Sequence, residues 1–270
     1  MRAPLLETRA LTLRAAGKPL VDGLGWSVNA GERWCVIGRN GAGKSLVLRA
    51  LAGLGVPQRS GEVFWRGRPQ SAWPADAAAA LRALMPQQAH DRFALTVERA
   101  LTLSEAAPAM PAAANAGFAD AGALTRAQEG PGASLLRRRS ELTAALDIVA
   151  LGPRRIDQLS GGERQRVALA QCATQGAALM LLDEPVSFQD PAHQQAVGRW
   201  LAAAADPAGR AWIATAHDPS WIARVATHVL ALFGDGRWQA GSVDDMLVES
   251  VLERTYGCPW RSVDGAWLAR

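Results

Sequence analysis

The sequence has no long apolar run, few cysteines and little net charge. No apolar stretch in its 270 residues approaches the roughly 18 residues that a membrane-spanning helix needs. Residues 1–18 also lack the apolar core of a signal peptide. The three cysteines, Cys35, Cys172 and Cys258, are scattered in apolar surroundings, so we expect neither disulfides nor a cysteine metal cluster, and a reducing cytoplasm fits. The net charge of +4 permits contact with anionic lipid or nucleic acid but favours neither.

The composition is that of an ordinary globular protein. Hydrophobic residues make up 49% and charged residues 20% of a chain long enough to bury one core with an appended subdomain. Alternating apolar residues before residue 35 predict strands that border the main sheet. Helices are predicted over residues 75–84 and in 142–152, whereas residues 104–134, rich in Ala, Gly and Pro, predict a loop-rich or partly disordered insertion. Arg137–Arg139 is interpreted as a solvated helix face, with lipid headgroup contact as the alternative.

A glycine-rich loop, GRNGAGKS at residues 38–45, lies between a short apolar stretch and a helical pattern. Residues 34–37 predict a buried strand, and the apolar spacing after the loop predicts a helix. In that setting G-x-x-x-x-G-K-[ST] is typical of phosphate binding, because the glycines let several N–H groups face one anion at a helix N-terminus. Lys44 would meet the β- and γ-phosphates, and the Ser45 hydroxyl would bind magnesium. The alternative is a glycine-rich turn that binds nothing.

Two further apolar stretches are predicted to be buried strands that end in reactive side chains. Residues 177–182 lead into Asp183 and Glu184, and residues 212–214 lead towards His217. In a parallel α/β sheet ligands collect beyond the carboxyl ends of the strands, so these side chains and the glycine loop should converge on one edge. The other histidines are interpreted as structural residues: His90, His193 and His228.

This convergence predicts phosphoryl transfer to water. Two adjacent carboxylates at a strand end are costly unless a cation pairs with them. Asp183 is therefore interpreted as a magnesium ligand and Glu184 as the group that polarises the attacking water, with a buried structural acid pair as the alternative. His217 would hydrogen-bond the γ-phosphate and hold Glu184 and the water in place.

A second glycine pair occurs in LSGGERQR at residues 159–166. Ser160 is a natural N-cap and Glu163 completes a capping box, so a well-formed helix start is one interpretation. Gly161 and Gly162 at a helix N-terminus would also form a second anion-binding cap. The chain therefore has two anion-binding caps but only one pair of carboxylates, which raises the question of which phosphate the second cap would bind.

Together these motifs resemble, in order and along nearly the whole chain, those of the ATP-binding cassette (ABC) ATPases. GRNGAGKS is similar to their phosphate loop, LSGGERQR to their signature, LMLLDEP to their second Walker motif and TAHD to their switch-histidine region. Met85-Pro86-Gln87 resembles their Q-loop, which puts Gln87 near the magnesium ion and at the joint with the helical subdomain. Asp190 falls where their D-loop aspartate lies. The resemblance implies an α/β fold: a P-loop NTPase (RecA-like) parallel-sheet core with an antiparallel β region and an inserted α-helical subdomain.

The resemblance also implies how the chain is divided and which residues bind. The nucleotide-binding core would comprise residues 1–88 and, with a C-terminal tail, 157–270, and the helical subdomain residues 89–156. ATP and Mg²⁺ are the implied cofactors. Catalysis is assigned to Glu184, His217 and Lys44, and magnesium to Ser45, Gln87 and Asp183. The nucleotide-binding set is Gly38, Arg39, Asn40, Gly41, Ala42, Gly43, Lys44, Ser45, Gln87, Ser160, Gly161, Gly162 and Asp190.

The implied partners follow from the same family. Two copies would dimerise head to tail, so that the signature of one covers the ATP held by the other. SAWPADAAAALRALMPQ, TVERALTL and the tail from Asp244 to Gly257 resemble cassettes of bacterial importers for iron-siderophore complexes, haem or cobalamin. These imply permease subunits, an indirect link to a substrate-binding protein, no nucleic acid, and a place on the cytoplasmic side of the inner membrane.

Two other functions are alternatives to import. A soluble ABC ATPase acting on DNA or ribosomes usually carries a coiled-coil insertion or two cassettes, but here one cassette is present and no heptad run interrupts it. A P-loop kinase or GTPase does not need LSGGE.

The chain also departs from the family pattern. Ala15 and Ala16 lie near where an aromatic residue usually stacks on adenine, and neither can stack. Trp26 is the candidate to reach the base from another position. Leu46 follows Ser45 where threonine is frequent, which leaves the serine intact. Residues 104–134 replace an ordinarily more structured part of the helical subdomain.

Overall fold

The computed structural model describes residues 3–87, 94–105, 131–206 and 209–270 of the protein. The strands in these ranges are β1 (Leu6–Ala15), β2 (Lys18–Val28), β3 (Arg33–Ile37), β4 (Arg59–Trp65), β5 (Arg68–Pro69), β6 (Arg82–Met85), β7 (Leu179–Leu182), β8 (Ala211–Thr215), β9 (His228–Leu232), β10 (Trp238–Ser242), β11 (Trp260–Val263) and β12 (Ala266–Ala269). The α-helices are α1 (Lys44–Leu51), α2 (Ala75–Leu81), α3 (Val97–Glu105), α4 (Pro131–Ala145), α5 (Gly161–Thr174), α6 (Pro191–Ala204), α7 (Pro219–Val225), α8 (Val243–Met246) and α9 (Glu249–Tyr256).

A six-stranded sheet forms the centre of the molecule, in the order β10-β9-β3-β8-β7-β6. The five strands from β9 to β6 are parallel, and β10 pairs antiparallel with β9 at the edge. The predicted reactive segments follow β3, β7 and β8. These three strands are adjacent in the sheet, with β8 between β3 and β7. Their carboxyl ends therefore share one edge, as the sequence predicts.

The central strands read as continuous apolar runs because both of their faces are buried. On β8, Trp212 and Ala214 belong to one hydrophobic core, and Ala211 and Ile213 belong to the other. The first core also contains buried residues of helices α3 to α9. The second contains those of α1 and of the antiparallel sheet. The central sheet thus packs against a hydrophobic core on each of its two faces.

A second, antiparallel sheet has the order β2-β1-β4-β5. Strands β1 and β2 form a long hairpin in which Leu6 lies opposite Val28, and β4 pairs with the other edge of β1. The strands predicted at the border of the main sheet are present. Trp26 lies in the core beneath this sheet, 6% exposed, with its ring 4.9 Å from that of Trp34.

The helix predicted over residues 75–84 ends early. Helix α2 ends at Leu81, and Arg82–Met85 forms β6, which pairs in parallel with β7. Ala83 and Met85 are buried while their neighbours are half-buried. This alternation is the period of a strand, and pairing with β7 overrides the helical preference of the alanine-rich stretch.

The segment between β6 and α5 is more helical than predicted where it is described. Helix α3 extends to Glu105 and α4 begins at Pro131, so the prediction of loop is wrong at both ends of residues 104–134; residues 106–130 lie outside the described residues. Proline suits the first turn of α4, where its missing N–H has no partner to lose. Helix α4 ends at Ala145, and a 3₁₀ turn over Val149–Leu151 takes the place of the helix predicted to residue 152.

The three arginines of α4 do not share one solvated face. Arg137 is exposed and pairs with Glu141, and Arg138 is exposed as well. Arg139 is only 17% exposed and lies 3.8 Å from Glu98 and from Glu105, the two acidic residues of α3. The prediction of a solvated run is therefore wrong for Arg139, which ties α4 to α3.

A C-terminal segment completes the fold. Helices α8 and α9 follow β10, and the two-stranded hairpin β11-β12 follows α9. Within the described residues, no helix combines the length and the hydropathy required to cross a membrane. All three cysteines are free: Cys35 and Cys172 are buried, and Cys258 is half-buried.

Candidate nucleotide-binding and hydrolysis site

The glycine loop connects β3 to α1 at the carboxyl edge of the central sheet. Gly38 and Gly43 have φ angles of 157° and 100°, in the region that favours glycine. A Cβ atom at Gly38 would lie 2.8 Å from the carbonyl oxygen of Leu232, and one at Gly43 would lie 3.0 Å from the Cβ of Leu20. Glycine is therefore required at both positions, for conformation and for space.

Lys44 begins α1 and closes the loop from inside. The lysine is 7% exposed, and its Nζ donates to the carbonyl oxygens of Gly38 at 2.8 Å and Arg39 at 3.1 Å. Burial lowers the pKa of Lys44, and the carboxylates of Glu184 and Asp183 oppose that shift. The ammonium group is thus held within the electrostatic reach of both carboxylates, while Ser45 follows on the first turn of α1.

Asp183 lies directly beyond β7 and is 6% exposed. Its Oδ1 accepts a hydrogen bond from the Thr215 hydroxyl at 2.7 Å, and the same hydroxyl oxygen accepts from the backbone N–H of Glu184 at 2.8 Å. Thr215 is the last residue of β8 and fully buried. This threonine fixes both carboxylate-bearing residues to the neighbouring strand, and sequence reasoning gave it no role.

Glu184 has a left-handed backbone conformation, with a φ of 53°. Its carboxylate accepts from Ser187 Oγ at 2.8 Å and lies 3.1 Å from Nε2 of His217. Burial raises the pKa of Glu184, but the hydrogen bonds from Ser187 and His217, the charge of His217 and a hydrogen bond from Gln87 outweigh it, so that the net pKa lies below the ordinary value. The carboxylate is therefore ionised and oriented at neutral pH.

Three supporting residues were not predicted from the sequence. Gln165 donates from Nε2 to the backbone carbonyl of Glu184 at 2.6 Å. Ser187 and Thr215 contact the carboxylates as described above. Gln165 lies within LSGGERQR and Ser187 three residues after Glu184, so proximity in sequence to the motifs was the available signal.

The signature opens α5 as a capped helix. Ser160 accepts a hydrogen bond from the backbone N–H of Glu163 at 3.3 Å, and the Glu163 carboxylate accepts from the N–H of Ser160 at 2.8 Å. A Cβ atom at Gly162 would lie 2.7 Å from the carbonyl oxygen of Phe188, and the 78% exposed Phe188 side chain lies beside Gly161. In the described part of the chain, no hydrogen bond joins Ser160–Gly162 to the glycine loop of the same molecule.

Asp190 and Gln87 lie at the margins of the site. Asp190 is the N-cap of α6: its Oδ1 accepts from the N–H of His193 at 3.0 Å, and its Oδ2 lies 2.7 Å from Nδ1 of the same residue. Hydrogen bonding to that N–H lowers the pKa of Asp190. Gln87, exposed beyond β6, is the residue of the predicted Q-loop that helps to lower the pKa of Glu184.

The other histidines are engaged in packing or local contacts where they are described. His228 stacks on Trp34 with ring centroids 4.6 Å apart. The Nε2 of His193 lies 3.2 Å from Asp147. His90 lies outside the described residues.

The Arg39 side chain points away from the loop centre. Its Nε donates to the carbonyl oxygen of Tyr256 at 2.7 Å, at the end of α9. Asn40 and Gly41 are exposed and Ala42 is buried at the mouth of the loop. Any contact of Arg39 with a nucleotide would therefore come from its backbone N–H.

The side chains that the sequence motifs assign to magnesium have oxygen donors of the right type. Mg²⁺ takes oxygen ligands, commonly one or two carboxylates together with substrate phosphates and water. The Asp183 carboxylate, the Ser45 hydroxyl and the Gln87 amide oxygen are of that type. These residues fit the ion that the sequence motifs imply.

Comparison with known proteins agrees with this geometry. The sequence profile of the family described as "ABC transporter" matches residues 21–187. The chain is 36% identical over 256 residues to the hemin import ATP-binding protein HmuV of Streptomyces coelicolor, covering 94% of this chain and 84% of that protein. It is 34% identical to HmuV of Bordetella pertussis, with 93% and 92% covered.

The fold recurs in solved structures. A structure described as an inward-facing metal-chelate type ABC transporter matches with a TM-score of 0.71 at 21% identity, covering 100% of this chain and 96% of that one. CbiO1 of Clostridium perfringens, described as part of an ABC transporter complex, matches with a TM-score of 0.69 at 19% identity, covering 93% and 94%. The loop, the carboxylate pair and the capped signature thus define an ABC ATPase fold. The chain belongs to the ABC transporter family. It is the ATP-binding, ATP-hydrolysing subunit of an importer.

Proposed function

We propose that this protein drives the uptake of a metal chelate, with haem as the first candidate, through a separate permease. The observation that carries the proposal is the similarity to hemin import ATP-binding proteins over more than nine-tenths of the chain. It covers a larger share of the chain than residues 21–187, which the family profile matches. The proposed location is the cytoplasmic side of the membrane that holds the permease.

The proposed reaction is attack of water on the γ-phosphorus of ATP, in which the bond from that phosphorus to the β–γ bridging oxygen breaks and ADP leaves with that oxygen. Lys44 and the N–H groups of the glycine loop neutralise the phosphates. Glu184 orients the water and accepts its proton, and His217 holds the Glu184 carboxylate and contacts the γ-phosphate. Magnesium, held by Asp183 and Ser45 with Gln87 nearby, would supply charge neutralisation at the β- and γ-phosphates.

A second copy of the chain completes each site in this proposal. Gly161 and Gly162 present backbone N–H groups in the first turn of α5, where an anion is favoured, and Ser160 precedes them as the N-cap. The proposed ligand of this cap is the γ-phosphate bound by the partner's glycine loop. Asp190, at the start of α6 near the signature, would lie at the same dimer interface.

The proposed permease contact lies beside Gln87 on the helical segment. This contact surface is defined by three exposed apolar side chains of the segment, Leu103, Leu136 and Val149, which are 51%, 66% and 65% exposed. Gln87 would connect this surface to Glu184. Cysteine pairs between this surface and the permease should cross-link in membranes. Cross-links from only the opposite, C-terminal surface would contradict this docking mode.

The cargo is tested by growth. Deleting the gene in its own organism should abolish growth on hemin as sole iron source, and the wild-type gene should restore it. The Glu184→Gln and Lys44→Ala variants, expressed at the same level, should not restore growth on hemin. A deletion strain that still grows on hemin but fails on a ferric siderophore, or lacks cobalamin uptake, would overturn the haem assignment. No uptake defect for any chelate would overturn the proposed function.

A further inference from the structure

The end of helix α9 contacts the ATPase site at two places. The carbonyl oxygen of Tyr256 accepts the hydrogen bond from Arg39, in the glycine loop, at 2.7 Å. The Tyr256 hydroxyl donates to the backbone carbonyl of His217 at 3.4 Å. One residue of the C-terminal segment therefore contacts both the loop that holds Lys44 and the residue that holds Glu184.

Gly257 makes the first contact possible. It is the C-cap of α9 with a φ of 71°, and a Cβ atom there would lie 1.3 Å from a guanidinium nitrogen of Arg39. The arginine occupies the space that any side chain at position 257 would fill. A guanidinium at the carbonyl end of a helix is also favoured by the helix dipole.

Arg39 transmits this contact into the loop. Its own carbonyl oxygen is one of the two that accept from Lys44 Nζ, at 3.1 Å. Arg39 is thus anchored to α9 by its side chain and to the phosphate-binding lysine by its backbone. A shift of the guanidinium would therefore change the position of the carbonyl oxygen to which the Lys44 ammonium donates.

The C-terminal segment also contacts the chain directly after His217. The backbone N–H of Trp267, in β12, donates to Ser220 Oγ at 2.8 Å, in the first turn of the helix that follows His217. Tyr256 packs on Trp260 of β11 with ring centroids 5.3 Å apart. Burial raises the pKa of the Tyr256 hydroxyl, so it remains a donor at neutral pH.

We infer that Tyr256 and Gly257 position the ATPase site from the C-terminal side, setting the glycine loop through Arg39 and the switch histidine through the Tyr256 hydroxyl. Neither residue touches ATP; both act through residues that would. The inference rests on the proposed roles of Lys44 and His217, and it predicts that the two connections have separate effects. The Arg39 connection governs nucleotide affinity, and the tyrosine hydroxyl governs turnover.

The test measures the Kd of ATP, the kcat of hydrolysis and the melting temperature of the full chain. Arg39→Ala should weaken ATP binding about tenfold, the range for losing one hydrogen bond to a charged group, and Arg39→Lys should recover only part of it. Tyr256→Phe keeps the backbone carbonyl, so it should lower kcat severalfold with the Kd of ATP unchanged. Gly257→Ala should match Arg39→Ala in Kd.

A matched control separates displacement of Arg39 from backbone strain. Gly265 has a φ of 79° and no atom near a Cβ, so Gly265→Ala carries the strain alone and should leave both Kd and kcat unchanged. The double variant Arg39→Ala/Gly257→Ala should bind ATP no more weakly than Arg39→Ala does, because both changes break the same contact between Arg39 and Tyr256.

The inference is overturned if Gly265→Ala weakens ATP binding as much as Gly257→Ala does. It is also overturned if Tyr256→Phe changes Kd and kcat together, in proportion to a lowered melting temperature. A wild-type chain that binds ATP without hydrolysing it would instead count against the proposed function. In that case the Kd values of the Arg39 and Gly257 variants would still decide whether the C-terminal segment positions the glycine loop.

Discussion

The Thr215 hydroxyl lies 2.7 Å from the Asp183 carboxylate and joins it to the backbone of Glu184. The three groups belong to two neighbouring strand ends, and the threonine is fully buried between them. One hydroxyl group thus links the proposed magnesium ligand directly to the backbone of the proposed base.

Thr215→Val should therefore impair hydrolysis without removing any group that contacts ATP. The buried N–H of Glu184 would lose its acceptor, which typically costs about 1–3 kcal/mol of folding stability. We expect a lower melting temperature, a kcat reduced about tenfold and a raised magnesium concentration for half-maximal activity. Thr215→Ser, which keeps the hydroxyl, should restore the magnesium dependence. Equal magnesium dependence in the valine variant and the wild type would contradict this role.

Glu184→Gln should abolish turnover and leave ATP binding intact. Glutamine keeps the size of the side chain but cannot accept a proton from water, and losing an oriented base costs on the order of a hundredfold or more in rate. Without hydrolysis to open it, the ATP-bound dimer should accumulate and be visible by size-exclusion chromatography. Near-normal phosphate release by this variant would rule out the proposed base.

Mixing two inactive variants tests whether the site is shared between copies. Lys44→Ala damages the glycine loop, and Ser160→Arg damages the signature. A heterodimer retains one intact pairing of loop and signature if the two act across the interface, so ATPase activity should partly return on mixing. Ser160 also caps α5, so the melting temperature of Ser160→Arg is the control for folding. Heterodimers that form but stay inactive would contradict the shared site.

The parts of the site that sequence reasoning found are those that are local in the chain. The glycine loop, Asp183 and Glu184 each follow directly from an apolar strand, so their position at the sheet edge needs only the rule for parallel sheets. Thr215 could not be given its role because the bond to Asp183 depends on which strands are neighbours. The contact of Arg39 with Tyr256 joins residues 217 apart in sequence, and no periodicity reports it.

The errors in the fold have the same origin. Residues 82–84 read as the end of an alanine-rich helix, and only the pairing of this segment with β7, where Arg82 lies opposite Leu179, makes it a strand. Arg139 reads as a solvated arginine because its partners, Glu98 and Glu105, lie on another helix. Local preference is weak compared with such tertiary contacts.

The cysteines should differ sharply in reactivity. Burial raises the pKa of Cys172 to about 12 and raises that of Cys35 further, so neither is a thiolate near neutral pH, whereas Cys258 is partly accessible. A thiol reagent at mildly alkaline pH should titrate one thiol per folded chain and all three after denaturation. Removing that single reaction by Cys258→Ser is the control. Rapid reaction of more than one thiol in the folded chain would contradict the burial of the other two.

Adenine should contribute little to nucleotide binding. Ala15 ends β1 and Ala16 lies in the turn that follows, with no ring at either position. Trp26, the candidate substitute, is buried against Trp34 beneath the antiparallel sheet. Stacking of a base on an aromatic ring is worth roughly 1–3 kcal/mol in nucleic-acid complexes, and without it the triphosphate must supply most of the affinity.

Phosphates are common to all nucleoside triphosphates, so we expect ATP and GTP to bind with Kd values within about tenfold of each other. Ala15→Tyr should tighten the binding of ATP, since it places a ring near the position where the family usually has its adenine-stacking aromatic residue. The measurement is a pair of affinities, ATP and GTP, for the wild type and for Ala15→Tyr, with Trp26→Phe as the control for the buried tryptophan. Because Trp26 packs in the core, Trp26→Phe should lower the melting temperature and leave the ATP-to-GTP ratio unchanged. A wild type that prefers ATP by two orders of magnitude would show that another group of this protein recognises the adenine.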